Sequence, residues 1–422
     1  MKFTSKMLSK KFLQIATVTS LLVVGGFGCN SETPIVVSTP TPSATPVPTA
    51  TPATSRAEIF VGGTFSTYAG NSLPRLGAFL TDGTQDSSYS VTGTGLSSTV
   101  RWLIPMGTKV LAGGAFANYN GNTAINRIAR FNADGSLDTS FATTGTGFNS
   151  TVYSMTLDSN GKIMVAGAFA TYNGTTVNHL ARLNTDGSLD TTFAMAGTGL
   201  NYQVNTVVFD SAGRILVGGY NTGYNGTNSN YIARLNADGS LDTAFTANVG
   251  TGFNNEVQQI LVTASGQYVV VGEFTTYNGA AAPYLARLNS DGTLDTTFNS
   301  GGAGLSAAAW KMALDSSGRV IVGGDFTTYN GVAASHIVRI NTNGSLDTSF
   351  VSGSGLNGDA YGVTIQSDGK LLIGGTFGTY NGATAVNLMR LNTDGSLDTT
   401  FATPASAFNN YVTRIIVLNV PI

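Results

Sequence analysis

One stretch of text, residues 152–193, is written seven times along the chain. Its Asp-Gly or Asn-Gly turn falls at Asp82, Asp134, Asp186, Asp238, Asp291, Asn343 and Asp394, at steps of 52, 52, 52, 53, 52 and 51 residues. A unit of that size cannot bury its own apolar faces, so the copies must stack into a ring or a solenoid. Within one copy, Val152–Leu157 and residues 162–169 are apolar runs split by the turn Asp158-Ser159-Asn160-Gly161. Tyr172-Asn173-Gly174 is a tight-turn signal, because both central residues of such a turn need positive φ. Residues 179–184 alternate polar and apolar, as a half-buried strand does. After Thr185-Asp186-Gly187, residues 188–193 read as a short outer strand. No segment sustains a helical period. These signals predict an all-β protein, a seven-bladed β-propeller of four-stranded antiparallel blades.

The ends of the repeat array choose the ring over the solenoid. The first copy begins near Glu58-Ile59-Phe60-Val61-Gly62-Gly63, a second-strand sequence with no first strand before it. The missing strand stands at the far end, residues 411–418, with no second strand after it. Pairing the C-terminal strand with the N-terminal blade closes the ring and removes edges that a sheet must otherwise protect.

The repeated motif VGGxFxxYNG, followed by [IL]ARLNxDGSLDTxF, resembles the delta-60 repeat of bacterial surface and secreted proteins over residues 58–418. That resemblance implies a β-propeller and no particular reaction. The layout is also similar to a kelch blade, where a Gly-Gly doublet closes the second strand. Copy one departs at Ala78 and Leu80, where other copies have Arg and Asn. Copy four has Asn221 in place of Phe.

Three regions are expected. Residues 1–29 form an export signal: Lys2, Lys10 and Lys11 precede a mostly apolar run too short to span a bilayer comfortably. Gly28-Cys29 follows and resembles a bacterial lipoprotein cleavage site, so Cys29, the only cysteine, is the expected lipidation site. It leaves no partner for an intrachain disulfide. Residues 30–55, with Pro34, Pro40, Pro42, Pro46, Pro48 and Pro52 among Thr and Ala, read as a disordered linker. Extended at about 3.1 Å per residue, it would reach ~75 Å. Residues 56–422 are the propeller. The expected protein is exported and lipid-anchored at the cell envelope, at the outer membrane or cell surface, as a monomer whose partners are the membrane and a ligand. Only 10% of residues are charged, with net charge −2, so no nucleic-acid partner is expected.

Several motifs invite chemistry and resist it. Residues 184–190 resemble the back half of a calcium loop, but its first ligand position is Arg182. A guanidinium repels a cation there and can pair with Asp186 or Asp190 instead. The pattern recurs at Arg130, Arg234, Arg287, Arg339 and Arg390. Copy one has Asp82 and Asp86 with no Arg at that place, the nearest approach to calcium. Gly145-Thr146-Gly147 and its copies look like a phosphate loop. Each is followed by Leu or Phe (Leu96, Phe148, Leu200, Phe253, Leu305, Leu356, Phe408), so they read as inter-blade turns that drop an apolar plug. His179 and His336 hold one repeat position in blades three and six, where other copies have Arg75, Arg127, Tyr231, Tyr284 and Asn387. This reads as a tolerant surface position. No catalytic residue, metal or cofactor is expected.

What the copies share is scaffold; what they do not share can be function. The residue after the Gly-Gly doublet runs Thr64, Ala115, Ala168, Tyr220, Glu273, Asp325, Thr376. The second residue of the first strand runs Arg101, Tyr153, Asn205, Gln258, Trp310, Tyr361, Thr413. Both sets should sit at the channel mouth on one face of the ring. Tyr220, Glu273, Asp325, Asn205, Gln258, Trp310, Tyr361, Tyr153 and Arg101 are the candidate ligand-binding residues. Acidic and amide groups beside aromatic faces suit a glycan or protein ligand. The favoured function is a non-enzymatic binding or adhesion module. The alternatives are a polysaccharide lyase or hydrolase with Glu273 and Asp325 as its acid–base pair, and a purely structural envelope protein.

Overall fold

Neighbouring blades share their cores, and this fixes the architecture. The computed structural model describes residues 55–421, apart from 91–92, 143–144, 194–197 and 405–406. The export signal, Cys29 and most of the linker lie outside the described residues. Seven antiparallel three-stranded sheets form the blades. Seven apolar clusters lie between them, each drawing on two neighbouring blades. The second strand shows why its sequence is apolar throughout. In Ile163–Gly167, Ile163 and Val165 face blade two while Met164 and Ala166 face blade four. Alternate side chains leave a strand on opposite faces, and here both faces are buried.

The ring closes as its ends require. Val412–Pro421 pairs antiparallel with Ser55–Gly63, with Val61 opposite Ile415 and Phe60 opposite Ile416. Blade one is therefore built from both ends of the chain. The innermost strands are Val412–Pro421, Val100–Met106, Val152–Leu157, Val204–Phe209, Val257–Val262, Ala309–Leu314 and Ala360–Ile365. Each contacts the next, and the last contacts the first. In blades two to five the third side chain of this strand reaches the next inner strand. Trp102 Nε1 donates to the Met155 carbonyl at 2.7 Å, and the amides of Val207, Ile260 and Met312 donate to Ser154, Thr206 and Gln259.

The rim repeats a second clamp. Arg182 Nε donates to Asp190 Oδ2 at 2.7 Å, its guanidinium lies 4.8 Å from the Phe193 ring centre, and Nη1 reaches the Ala237 carbonyl of the next blade. Arg130, Arg234, Arg287, Arg339 and Arg390 pair in the same way with Asp138, Asp242, Asp295, Asp347 and Asp398. Arg390 also donates to the Thr81 carbonyl of blade one, so the rim closes too. In copy one the absent Arg is replaced from elsewhere: Arg56 holds Asp86 at 2.5 Å and Glu58 at 2.7 Å. That guanidinium removes the opening for calcium. The plugs behave as expected. All seven, from Leu96 to Phe408, are buried and bridge to the tyrosine at the tight turn of a blade. That turn has both φ values positive, 47° at Asn173 and 80° at Gly174.

Two local expectations need correcting. The outer fourth strand is a single bridge, such as Leu183 to Leu189, and not a strand. The Asp186 and Asp190 carboxylates cap the local backbone at Ser188 and Thr192, so the segment coils around its own turns. Blade four also has a helix, Thr243–Val249, after Asp242, whose carboxylate accepts the Phe245 amide. This is the connection lengthened by one residue in the 53-residue step, and Phe245 and Val249 bury one face of it.

The rim clamps make the fold acid-sensitive. Burial alone would raise Asp347, but the Ser349 hydroxyl and Arg339 override it and bring it from 3.8 to about 2. The folded value is depressed. Its stabilisation is therefore full above about pH 4 and is lost as pH falls through about 2. Replacing Arg339 with Met leaves the buried Asp347 carboxylate with Arg319 as its remaining cationic partner and is expected to cost about 2 kcal/mol in denaturant melts at pH 7. The difference from wild type should shrink as the pH approaches 2.

Candidate functional site

A β-bulge places one side chain of each blade at the mouth. The pairing of first and second strands skips one residue in every blade: between Val152 and Ser154, for example, and between Ala309 and Lys311. The skipped residues are Arg101, Tyr153, Asn205, Gln258, Trp310, Tyr361 and Thr413. Such a bulge re-aims the side chain it carries. The second glycine of the Gly-Gly position permits it. A Cβ there would collide with the carbonyl oxygen of the residue preceding the first strand, as Gly167 would with Thr151 and Gly272 with Glu256.

These side chains converge on a cavity of ≈ 490 Å³ at one end of the channel. Eight of the nine expected residues line it: Arg101, Tyr153, Asn205, Tyr220, Gln258, Glu273, Trp310 and Tyr361. Asp325 lies behind the wall, where its carboxylate accepts the Trp310 indole N–H. The aromatic groups touch one another. The Trp310 and Tyr361 ring centres are 6.4 Å apart, Tyr361 meets Tyr411 edge-on at 5.7 Å, and Arg101 stands 5.3 Å over Tyr153.

Each carboxylate of the expected acid–base pair has another carboxylate as its neighbour. Glu273 is partnered by Glu256 of the same blade, and Asp325 by Asp359 of the next. Burial lifts Glu256 from 4.5 to about 7; the Glu273 carboxylate adds to this, while bonds from Tyr220 and Asn205 oppose it. Asn205 Nδ2 donates to Glu256 at 3.0 Å. Asp325 is also raised by burial, against the Trp310 bond and with the charge of Asp359. Tyr361 donates to Asp359 at 2.9 Å.

Sequence reasoning missed the residue immediately before the first strand. Gln203, Glu256 and Tyr411 line the cavity from that position, and Asp359 stands beside it. Across the copies the position runs Thr99, Thr151, Gln203, Glu256, Ala308, Asp359, Tyr411, as varied as the two sets chosen. That variation was the available signal. The position of His336 is not a tolerant surface. All seven residues there, from Arg75 to Asn387, adopt positive φ between 63° and 74° and are half-buried. Each bonds through both backbone groups to the end of the second strand: the His336 amide to the Phe326 carbonyl, and its carbonyl to the Gly324 amide. His336 Nδ1 also lies 3.3 Å from Asp359, bringing the imidazole to the edge of the site. Among the described residues no cluster of His, Cys, Asp or Glu has the makings of a metal site.

A family model described as a domain of unknown function (DUF5122) beta-propeller matches residues 58–89, 109–141, 159–193, 213–245, 263–298, 316–350 and 366–401. No curated protein matches in sequence. Solved structures that align include the extracellular domain of BT4673 from B. thetaiotaomicron, at 15% identity and a TM-score of 0.35, over 82% of this chain and 45% of that one. XC5397 from Xanthomonas campestris, a gluconolactonase, aligns at 13% and 0.35 over 63% and 79%. Virginiamycin B lyase from Staphylococcus aureus aligns at 16% and 0.33 over 64% and 84%. This chain spans less than half the length of the BT4673 chain.

The raised Glu256 makes a testable mouth. Its folded value lies above 4.5, so its contribution is present below about pH 4.5 and lost as pH rises through about 7. Glu256→Gln should therefore stabilise the protein at pH 8, by on the order of 1–3 kcal/mol, and have little effect at pH 5. Thermal melts of both proteins at the two pH values check this. A variant destabilised at pH 8 contradicts it.

Proposed function

The chain belongs to the DUF5122 β-propeller family, and from that premise we propose that it is a binding module whose ligand, a glycan or a protein segment, enters the channel mouth. One observation carries the reading. The bulge that every blade shares delivers an inner-strand position with six residue types in seven blades into a single cavity. A scaffold held constant around a varied, convergent surface is what recognition requires. The cavity lies within the range of small-ligand sites, roughly 300–1,000 Å³. Tyr153, Trp310 and Tyr361 offer aromatic faces, and Asn205, Gln258 and Glu273 offer hydrogen-bonding groups at its wall. Flat apolar faces beside directional polar groups match the two surfaces of a sugar ring.

The carboxylate pairing supports binding over glycoside cleavage. Glycosidases hold two carboxyl groups about 5–10 Å apart with the sugar bond between them. Glu256 with Glu273, and Asp325 with Asp359, each interact closely enough to raise one carboxyl of the pair, and Asp325 is engaged by the Trp310 indole rather than free at the wall.

The same proposal has the protein exported, its repeats of the delta-60 type, with a lipid on Cys29 and residues 30–55 as a stalk holding the ring off the membrane. Among the described residues no helix is long and apolar enough to cross a membrane.

Screening the full chain against glycans and extracellular-matrix proteins should find a ligand. Replacing Tyr220, Glu273 and Trp310 together with Ala should weaken it at least ~100-fold, as loss of several central contacts does. Unchanged affinity contradicts the mouth as the site. Cys29→Ser should abolish incorporation of labelled palmitate and release the protein from membranes; persistent membrane retention contradicts the anchor.

A further inference from the structure

Below the mouth the channel is cationic. The seven inner strands contain no Asp or Glu, and three cations: Arg101, Lys311 and Arg414. Lys311 and Arg414 hold the third position of the strand, which in blades two to five stitches neighbouring strands together. In blades six and one it makes no such bond. Both cations stack on one ring instead: Lys311 Nζ is 4.9 Å and the Arg414 guanidinium 4.0 Å from the centre of Trp102. None of the ion pairs among the described residues includes Arg101, Lys311 or Arg414. Arg414 Nε is buried with no hydrogen-bond partner. Three carboxylates at the mouth are engaged elsewhere, and Glu273 makes no ion pair with these cations. Glu256 is held by Asn205, Asp325 by Trp310 and Asp359 by Tyr361.

Between these two cations, in blade seven, the third position is Gly362. A Cβ there would meet only ordinary contacts, 3.4 to 3.7 Å from the backbone of Thr413 and Arg414. The ring thus has a gap in its side chains at the place its two unpaired cations flank. Burial, with Arg414 and Arg101 nearby, lowers Lys311 from 10.5 to about 7. Like charges are gathered in a confined space with no carboxylate in ion-pair contact, an arrangement that costs stability unless something negative enters.

We infer that the channel floor binds an oxyanion, a carboxylate, phosphate or sulfate group, in the gap at Gly362 between Lys311 and Arg414. The inference deepens the mouth reading, on which it rests for the route of entry, and makes the ligand an acidic one. The anion pairs with the two cations, Trp102 backs them, and any sugar or peptide attached to it extends upward past Trp310 and Tyr361. Arg101, one residue nearer the mouth, adds charge along the entry path.

The test is calorimetric titration of the full chain with inorganic phosphate, inorganic sulfate, glucuronate and, as the uncharged control, glucose. Wild type should bind at least one anion, melt at higher temperature in its presence, and prefer glucuronate to glucose. Lys311→Met and Arg414→Gln should each weaken anion binding at least ~10-fold. Gly362→Leu, which fills the gap and keeps both cations, should do the same. Lys311→Met removes an unpaired charge, so it should melt no lower than wild type without ligand. That separates lost binding from lost folding. Wild type that takes up none of the anions, or anion binding unchanged by all three substitutions, overturns the inference. If a neutral glycan still binds at the mouth and is lost on replacing Trp310 and Glu273, the mouth reading survives and the floor alone is wrong. Anion binding that Gly362→Leu abolishes, in a protein that no mouth substitution affects, supports the floor and removes the mouth reading.

Discussion

The rest of the structure depends on one strand pairing with another from the opposite end of the chain. Residues 412–421 complete the blade begun by residues 55–63. Without that pairing, blade one has no inner strand, and the clusters on both its sides lose members: Ile415 from one and Ile416 from the other. The requirement is topological before it is energetic. Seven wedges that each bury two faces have no unburied face only when they form a circle. The pairing is reinforced away from the axis. Phe408 bridges to Tyr68, and Arg390 and the Ala402 amide reach the carbonyls of Thr81 and Asp82.

Closure also makes a common interior, and the bulge decides what faces it. A regular ladder would give the second residue of each inner strand a fixed place in the pleat. Skipping it in the register frees that residue from pairing, and the glycine opposite makes room for the backbone to bend. The scaffold then accepts a range of side chains there, two of which, Asn205 and Thr413, also bond the next inner strand. Arg, Tyr, Asn, Gln, Trp and Thr all occur without change to the blade. The next residue also varies, but in four blades its side chain joins neighbouring strands. In the remaining blades that duty lapses: Thr364 and Thr413 hydroxyls bond the adjoining strand instead, and the position is left to Lys311, Gly362 and Arg414.

Much of this was legible in the sequence because periodicity records it seven times. The turn at Asn173-Gly174, the Arg182–Asp190 pair, the apolar plugs and the fraying of the two ends all follow from comparing copies. What escaped has a physical reason in each case. The helix at Thr243–Val249 arises from a single extra residue and a capping aspartate, too short a signal to show a period. The fourth strand lost its ladder to side chains that bond their own turns. Arg56 replaces a missing guanidinium from a different strand, a substitution visible only in space. The left-handed residue at His336 is half-buried although its column accepts Arg, His, Tyr and Asn, so variety did not mean exposure. Glu256 and Asp359 sit in connecting segments, outside the strand positions that were compared, yet the carbonyls of these residues bond the end of the second strand and bring their side chains to the mouth.

Native-state hydrogen exchange on the closing strand tests the central claim most directly. If the ring is closed, amides of Val412–Pro421 that pair with Ser55–Gly63 should exchange as slowly as those of the inner strands in the middle of the chain, such as Val204–Phe209, and should open together with residues 55–63. Rapid exchange across 412–421, at rates typical of connecting loops while the other inner strands stay protected, would contradict closure and the shared channel with it.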